Sequence, residues 1–260
     1  MPMEPHRTYY YNAQGHALSA QIVRPFHHTI DVQAGMSLPT IGGYGSVRVT
    51  DFRLKEVVSF KSASTHVSGS FNEHDKSYTT MVSVVIEGLD FWQVVTADRV
   101  VARIASRHPV DEREPHITVL GSHFDNLRIA GCPVNIEFDT ELFQRIDTFE
   151  KLLKELDSNK RFRKTALGPY YKGKDRKLPC DGGIVLCSLV KDMEVNCPGV
   201  TQQGHVFTVP EFGKVFVAEV VAEHSHRILT MVRFEMGSPG GGTGTAGQAQ
   251  ANGKTIPPPP

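Results

Sequence analysis

The chain has 260 residues and a mass of 28.8 kDa, with 28 basic and 28 acidic side chains and a sequence pI near 7.2. A formal charge of zero argues against a protein organised around one basic field for nucleic acid, or around an acidic solvating tail. With 40% apolar and 22% charged residues the composition is that of a folded domain, which excludes general disorder.

The first residues, Met1-Pro2-Met3-Glu4-Pro5-His6-Arg7, lack the apolar core of a signal peptide, and no apolar run approaches the ~20 residues of a spanning helix. Cysteines stand at 132, 180, 187 and 197 with no Cys-x-x-Cys pair. The expectation is therefore reduced thiols in a cytoplasmic protein without a membrane span, with a secreted chain as the alternative.

Most of the sequence alternates with period two, the spacing that puts successive side chains on opposite faces of a sheet. Strands are expected over residues 8–11, 18–23, 46–52, 57–63, 79–86, 91–95 and 100–104, and most clearly over 134–138. There Val134, Ile136 and Phe138 alternate with Asn135 and Glu137. Short turn-forming clusters at 12–15, 42–43, 72–76 and 130–133 separate them. Links of this length join antiparallel neighbours and are too short for parallel crossovers.

Residues 140–157 change period. Leu142, Phe143, Ile146, Phe149, Leu152, Leu153 and Leu156 recur at intervals of three and four, so one amphipathic helix is expected, capped by Asp139 or Thr140. A basic connection follows over 158–181. Strands resume over 184–190, 206–209, 214–222 and 228–236. Residues 237–260 hold almost nothing large and apolar and read as a disordered Gly/Pro-rich tail. The expected fold is mainly β: an antiparallel sandwich or flattened barrel, one domain over 1–236, with the helix packed across it.

Few residues suggest chemistry. Gly42-Gly43-Tyr44-Gly45 runs into a strand, whereas a phosphate loop needs a following helix. His224 and His226 share the i, i+2 spacing of two ligands on one strand and are the candidate metal pair, although the flanking strands make them a hairpin turn. His27-His28 reads as surface loop. Ser188 and Lys191 match Ser-x-x-Lys but lie on a strand, which sends them to opposite faces. Ser122, His123 and Asp125 have no nucleophile-elbow glycines around them. The segment with Lys160, Arg161, Arg163, Lys164, Tyr170, Tyr171, Lys172 and Lys174 interleaves cations with aromatics and is the candidate partner-binding stretch, for an acidic protein or for nucleic acid.

Over 96–138 the segments TADRVVARIASRH and ITVLGSHFDNLRIAGCPVNIEFD resemble the β-rich surface domains of bacterial choice-of-anchor proteins. The shared elements are an Ala-containing strand, a Ser/Gly turn and the hairpin from Asn126 through Leu127, Ile129, Gly131 and Pro133 to Val134. The resemblance implies a β-domain and carries over no catalytic residue.

The function expected from the residues is a non-enzymatic binding or assembly module, with a protein partner or self-association and no assigned cofactor. Two other readings stay open. One is a binder of an apolar small molecule or lipid beneath the helix, and the other a metal-dependent or serine hydrolase with dispersed residues.

Overall fold

The computed structural model describes residues 8–119, 121–164, 168–170 and 183–256. Within them two antiparallel sheets of nine strands each pack into a sandwich, and neither closes into a barrel. The first sheet begins with the longest strand, β1 (Thr8–Arg24), beside β2 (His28–Gln33) and β3 (Met36–Ser37). The second is built from β4 (Gly43–Leu54), β5 (Val58–Asn72), β6 (Ser77–Phe91) and β7 (Val95–Pro109), in that order. The short strands β8 (His116–Thr118) and β9 (His123–Asp125) also pair with β7. β10 (Arg128–Ile129) and β11 (Cys132–Phe138) continue this sheet, which ends on β13 (Val190–Val195).

The chain returns to the first sheet with β12 (Val185–Ser188), β14 (Thr201–Gln203), β15 (Val206–Val209), β16 (Gly213–Glu223) and β17 (His226–Met236). β18 (Gly241–Ile256) then inserts between β17 and β1. The supposed tail is thus an interior strand. Its alternation is present but small: Ala246, Ala249 and Ala251 are buried, while Gln248 and Gln250 point outward. Larger residues would not fit, since a Cβ on Gly244 would lie 2.5 Å from the Phe234 ring and 2.7 Å from the Ala20 side chain.

Four other expectations change. Residues 12–15 lie inside β1, and residues 92–94 form the turn between β6 and β7. The single helix over 140–157 is two, α1 (Thr140–Arg145) and α2 (Phe149–Ser158), followed by the single turn α3 (Lys160–Phe162). The break falls where the Ile117 N–H donates to the Asp147 carbonyl at 2.8 Å and where Thr148 leaves helical geometry to cap Lys151 N–H at 3.3 Å. Finally, Cys132 and Cys197 are joined by a disulfide across 65 residues, so these two thiols are not reduced as expected. Cys187 is free and buried.

In both sheets the inward face changes parity at one level. In the second sheet the buried or half-buried series runs Val47, Val49, Phe52, Leu54 in β4 and Val84, Ile86, Leu89, Phe91 in β6, each with a step of three. Asp51 and Gly88 sit at those steps with φ of 54° and 66°. In the first sheet Ala218 and Gly247 do the same, at φ 50° and 67°. The inter-strand registers continue through each step, so every strand turns over together and the sheet stays paired.

The buried apolar residues of both sheets and of α1 and α2 form one continuous cluster. Tyr9 of β1 stacks on Tyr78 of β6 at 3.9 Å, and Phe91 of β6 meets Phe234 of β17 at 3.9 Å. These aromatic pairs tie sheet to sheet at opposite ends of β6.

Candidate functional site

The parity step at Ala218 creates a concentrated polar cluster. Val215, Val217, Val220 and Ala222 of β16 join the core, whereas Phe216 and Glu219 both emerge on the outer face. Arg233, the cross-strand partner of Phe216, lies over its ring at 3.6 Å and reaches Glu219 through Nε at 2.5 Å and Nη2 at 2.9 Å. Nη1 of the same side chain donates to Glu235. Tyr170 closes the cluster from above, its hydroxyl donating to Glu219 and lying 2.6 Å from His205 Nε2. Glu219 is only 7% exposed and His205 not at all.

The electrostatics of this cluster fix its protons. Burial raises the Tyr170 phenol far above its ordinary range and the adjacent Glu219 carboxylate raises it further. Burial disfavours the Arg233 cation, but hydrogen bonds and charges from Glu219 and Glu235 more than offset this and raise its pKa. The phenol therefore stays a donor and the guanidinium stays charged. The arrangement clamps residues 168–170 onto β16 and suits holding more than proton transfer.

A second cluster surrounds the start of α2. Glu114 accepts from Phe149 N–H at 3.0 Å and Glu150 N–H at 3.3 Å, placing a carboxylate at the positive end of the helix. The other oxygen of Glu114 lies 3.0 Å from His224 Nδ1, and the His224 ring packs 4.4 Å from that of Phe149. His116 sits between Asp147 at 2.8 Å and Glu112 at 2.6 Å. Burial works against protonating this ring, but the two carboxylates overcome it and raise its pKa above 6.5. Asp147 also pairs with Lys151 at 2.7 Å; burial opposes its charge, yet Lys151 and His116 lower its pKa.

The sequence-predicted residues are scattered across these surroundings. His224 lies in the two-residue turn between β16 and β17, committed to Glu114, while His226 is the first residue of β17. Among the described residues no group of three or more His, Cys, Asp or Glu side chains is placed to hold a metal ion. Ser188 donates to the Val217 carbonyl at 2.9 Å while Lys191 pairs with Glu137, so the two do not meet. Ser122 bridges the N–H and carbonyl of Arg103 at 2.9 and 3.1 Å, a backbone staple that uses the hydroxyl.

Of the basic stretch, Lys160 and Arg161 are exposed on α3, where Arg161 donates to the Lys191 carbonyl at 3.3 Å. Arg163 donates to the Leu156 and Asp157 carbonyls, each at 2.8 Å, and so closes the end of α2. Lys164 is exposed, and Tyr170 belongs to the Glu219 cluster. Tyr171, Lys172 and Lys174 lie outside the described residues. Of the expected basic stretch, Lys160, Arg161 and Lys164 are thus exposed, while Arg163 closes the helix and Tyr170 is taken into the Glu219 cluster.

Sequence reasoning missed Glu219 as a buried group and Arg227 altogether. Both carried a signal: a single charge in or beside an apolar strand, Val215 to Ala222 for one and Ile228 to Val232 for the other. A charge in such a run either breaks the face or brings its partner inside.

A family model described as a domain of unknown function (DUF8256) matches residues 9–181 and, in an overlapping second match, 155–223. No curated protein and no solved structure matches the chain. Both family matches stop short of β18, although that strand lies in the middle of the first sheet. Since the matches cover well over half of the 260 residues, the chain belongs to this family, a domain of unknown function.

Proposed function

We propose that the chain is a non-enzymatic β-sandwich module that pairs with another protein chain, or with a second copy of itself, along β4. The observation that carries this reading is the position of β4 at the end of the second sheet, a 12-residue strand bonded to β5 on one side only among the described residues. An edge of this length offers a row of unpaired N–H and C=O groups, the template for strand addition. Ile41 and Tyr44 stand 88% and 68% exposed at its entrance and supply apolar anchors beside it. The charged clusters, by contrast, direct their hydrogen bonds inward, to the fold itself. The Cys132–Cys197 bond supports an oxidising compartment over the cytoplasm, in keeping with the surface-domain resemblance of residues 96–138.

Light scattering against concentration tests the reading, with two neighbouring proline variants, Val47→Pro and Arg48→Pro. Along an antiparallel edge, successive N–H groups point alternately to the neighbour and outward. One variant should keep the melting temperature and lose association, while the other breaks the ladder to β5 and melts earlier. A parent protein that stays monomeric at high concentration, or two variants that associate like the parent, would overturn the proposal.

A further inference from the structure

Four connections meet at one end of the sandwich and enclose a groove of about 440 Å3 lined by Pro25, Trp92, Val94, Pro210, Phe212 and Pro239. Trp92, the single tryptophan of the chain, occupies the tip of the β6–β7 hairpin at φ 53°, followed by Gln93 at φ 55°. Bulky side chains rarely adopt this left-handed backbone, and turns of this kind favour Asn and Gly. Here the backbone is held by Trp92 N–H to Val57 O at 2.7 Å and by Gln93 N–H to Asp90 Oδ1 at 2.7 Å. The indole is half-buried, edge-on to Phe91 at 5.8 Å and to Phe212 at 6.4 Å. The result is a fixed aromatic face bounded by three prolines.

We propose that this groove receives the four-proline run, residues 257–260, of a second copy of the chain. A proline run favours the extended polyproline II form, which has no internal hydrogen bonds and presents its rings and carbonyls outward. Aromatic grooves bind such segments because little ordering entropy is lost, the rings packing on the indole and the carbonyls meeting its N–H. Copy-to-copy binding follows from reach. The groove is lined by Gly240, next to the first residue of β18, and the prolines follow its last residue, Ile256. Sixteen strand residues separate them by about 50 Å, whereas four prolines span only about 12 Å. A molecule therefore cannot fill its own groove, and the contact runs head to tail. Such a contact builds linear chains of molecules unless its rotation closes them into a ring or a reciprocal pair. This inference stands apart from the β4 edge and does not require it.

Because Trp92 is the only indole, its fluorescence reads the groove directly. A peptide of residues 253–260 titrated into the full chain should give a saturable shift in emission. The same peptide with its four prolines changed to alanine should bind at least about tenfold more weakly. Pro210→Glu, at the exposed rim, should weaken binding while leaving the circular dichroism unchanged. A chain lacking only 257–260 should lose head-to-tail association but still accept the peptide. Equal response to both peptides, no response at millimolar peptide, or association unchanged without 257–260 would overturn the proposal. The last result, with one of the two β4 proline variants still weakening association at an unchanged melting temperature, would leave the β4 reading standing by itself.

Discussion

Arg227 donates from Nη1 to the carbonyl of Ile117 at 3.0 Å, fastening the start of β17 to β8 of the opposite sheet. Its Nη2 turns to the carbonyls of Ile146 and, at 3.2 Å, of Thr148, the two residues bracketing the helix break. One guanidinium thus joins both sheets and the helical segment, and it is 1% exposed. Burial lowers its pKa to about 10, with Cys187, Asp147 and Glu114 acting in the opposite direction, so it remains charged at neutral pH.

Arg227→Met should be strongly destabilising. It keeps an apolar side chain of similar reach but leaves three buried carbonyls without this donor, at a cost of about 3 kcal/mol or more. Arg227→Lys should recover only part of this, because an ammonium lacks the fork that spans separate carbonyls. Guanidinium titrations with an unchanged m-value would measure both losses; two variants within 1 kcal/mol of the parent would refute the role.

The raised pKa of His116 gives a signed pH dependence. Protons bind this ring more tightly in the folded chain than in the unfolded one. Its contribution is therefore fully present below the ordinary histidine value, about 6.5, and is lost as pH rises through the higher folded value. At the acid end it disappears once Asp147, whose pKa is lowered, becomes protonated. The stability gap between the parent and His116→Gln should be wide near pH 5 and narrow as the pH becomes alkaline. Burial lowers the pKa values of His16 and His108, which act with the opposite sign; His16 is common to both proteins and cancels in the difference, whereas His108 is also depressed by the His116 charge and loses that part of its shift in the variant. A gap that widens toward alkaline pH would contradict the assignment.

β18 makes the fate of the C-terminal segment testable. Removal of 241–256 would separate β17 from β1 and should abolish cooperative melting, whereas removal of 257–260 alone should leave the melting temperature unchanged. Gly244→Ala should destabilise by about 1–3 kcal/mol, since the added methyl overlaps the Phe234 ring and the Ala20 side chain. A chain lacking 241–256 that melts like the parent would show that β18 is dispensable.

The disulfide closes a loop of 65 residues between β11 and the segment after β13. In the chain-entropy account a loop of this length contributes about 4 kcal/mol. Cys132→Ser with Cys197→Ser should lower stability toward that limit, and reductant should destabilise the parent but not the double variant. Parent and variant with equal stability under oxidising conditions would remove the bond from the account.

The antiparallel class and most strand positions were legible because buried and exposed side chains alternate strongly wherever large apolar residues supply the inner face, as in 134–138 or 228–236. The β16–β17 turn at His224 was legible for the same reason, being the polar gap between two such runs. The alternation of β18 escaped notice because its inward residues are Gly and Ala, which bury little area in themselves. Their value lies in the room they leave for Phe234 and Tyr9.

The polar clusters lay further out of reach. Glu219 meets Arg233 because a left-handed Ala218 turns the strand over, and a one-residue parity step has no marker in hydropathy. Likewise the apolar spacing of 140–157 fits one helix, and nothing local announces that Arg227, some 80 residues later, binds the carbonyls at its break. Sequence by itself determined what each face of the chain prefers, since burial and propensity act locally. Which sheet took each strand, which carboxylate met which guanidinium, and where the helix parted were decided only in the assembled fold, because partners that share a hydrogen bond need not share a neighbourhood along the chain.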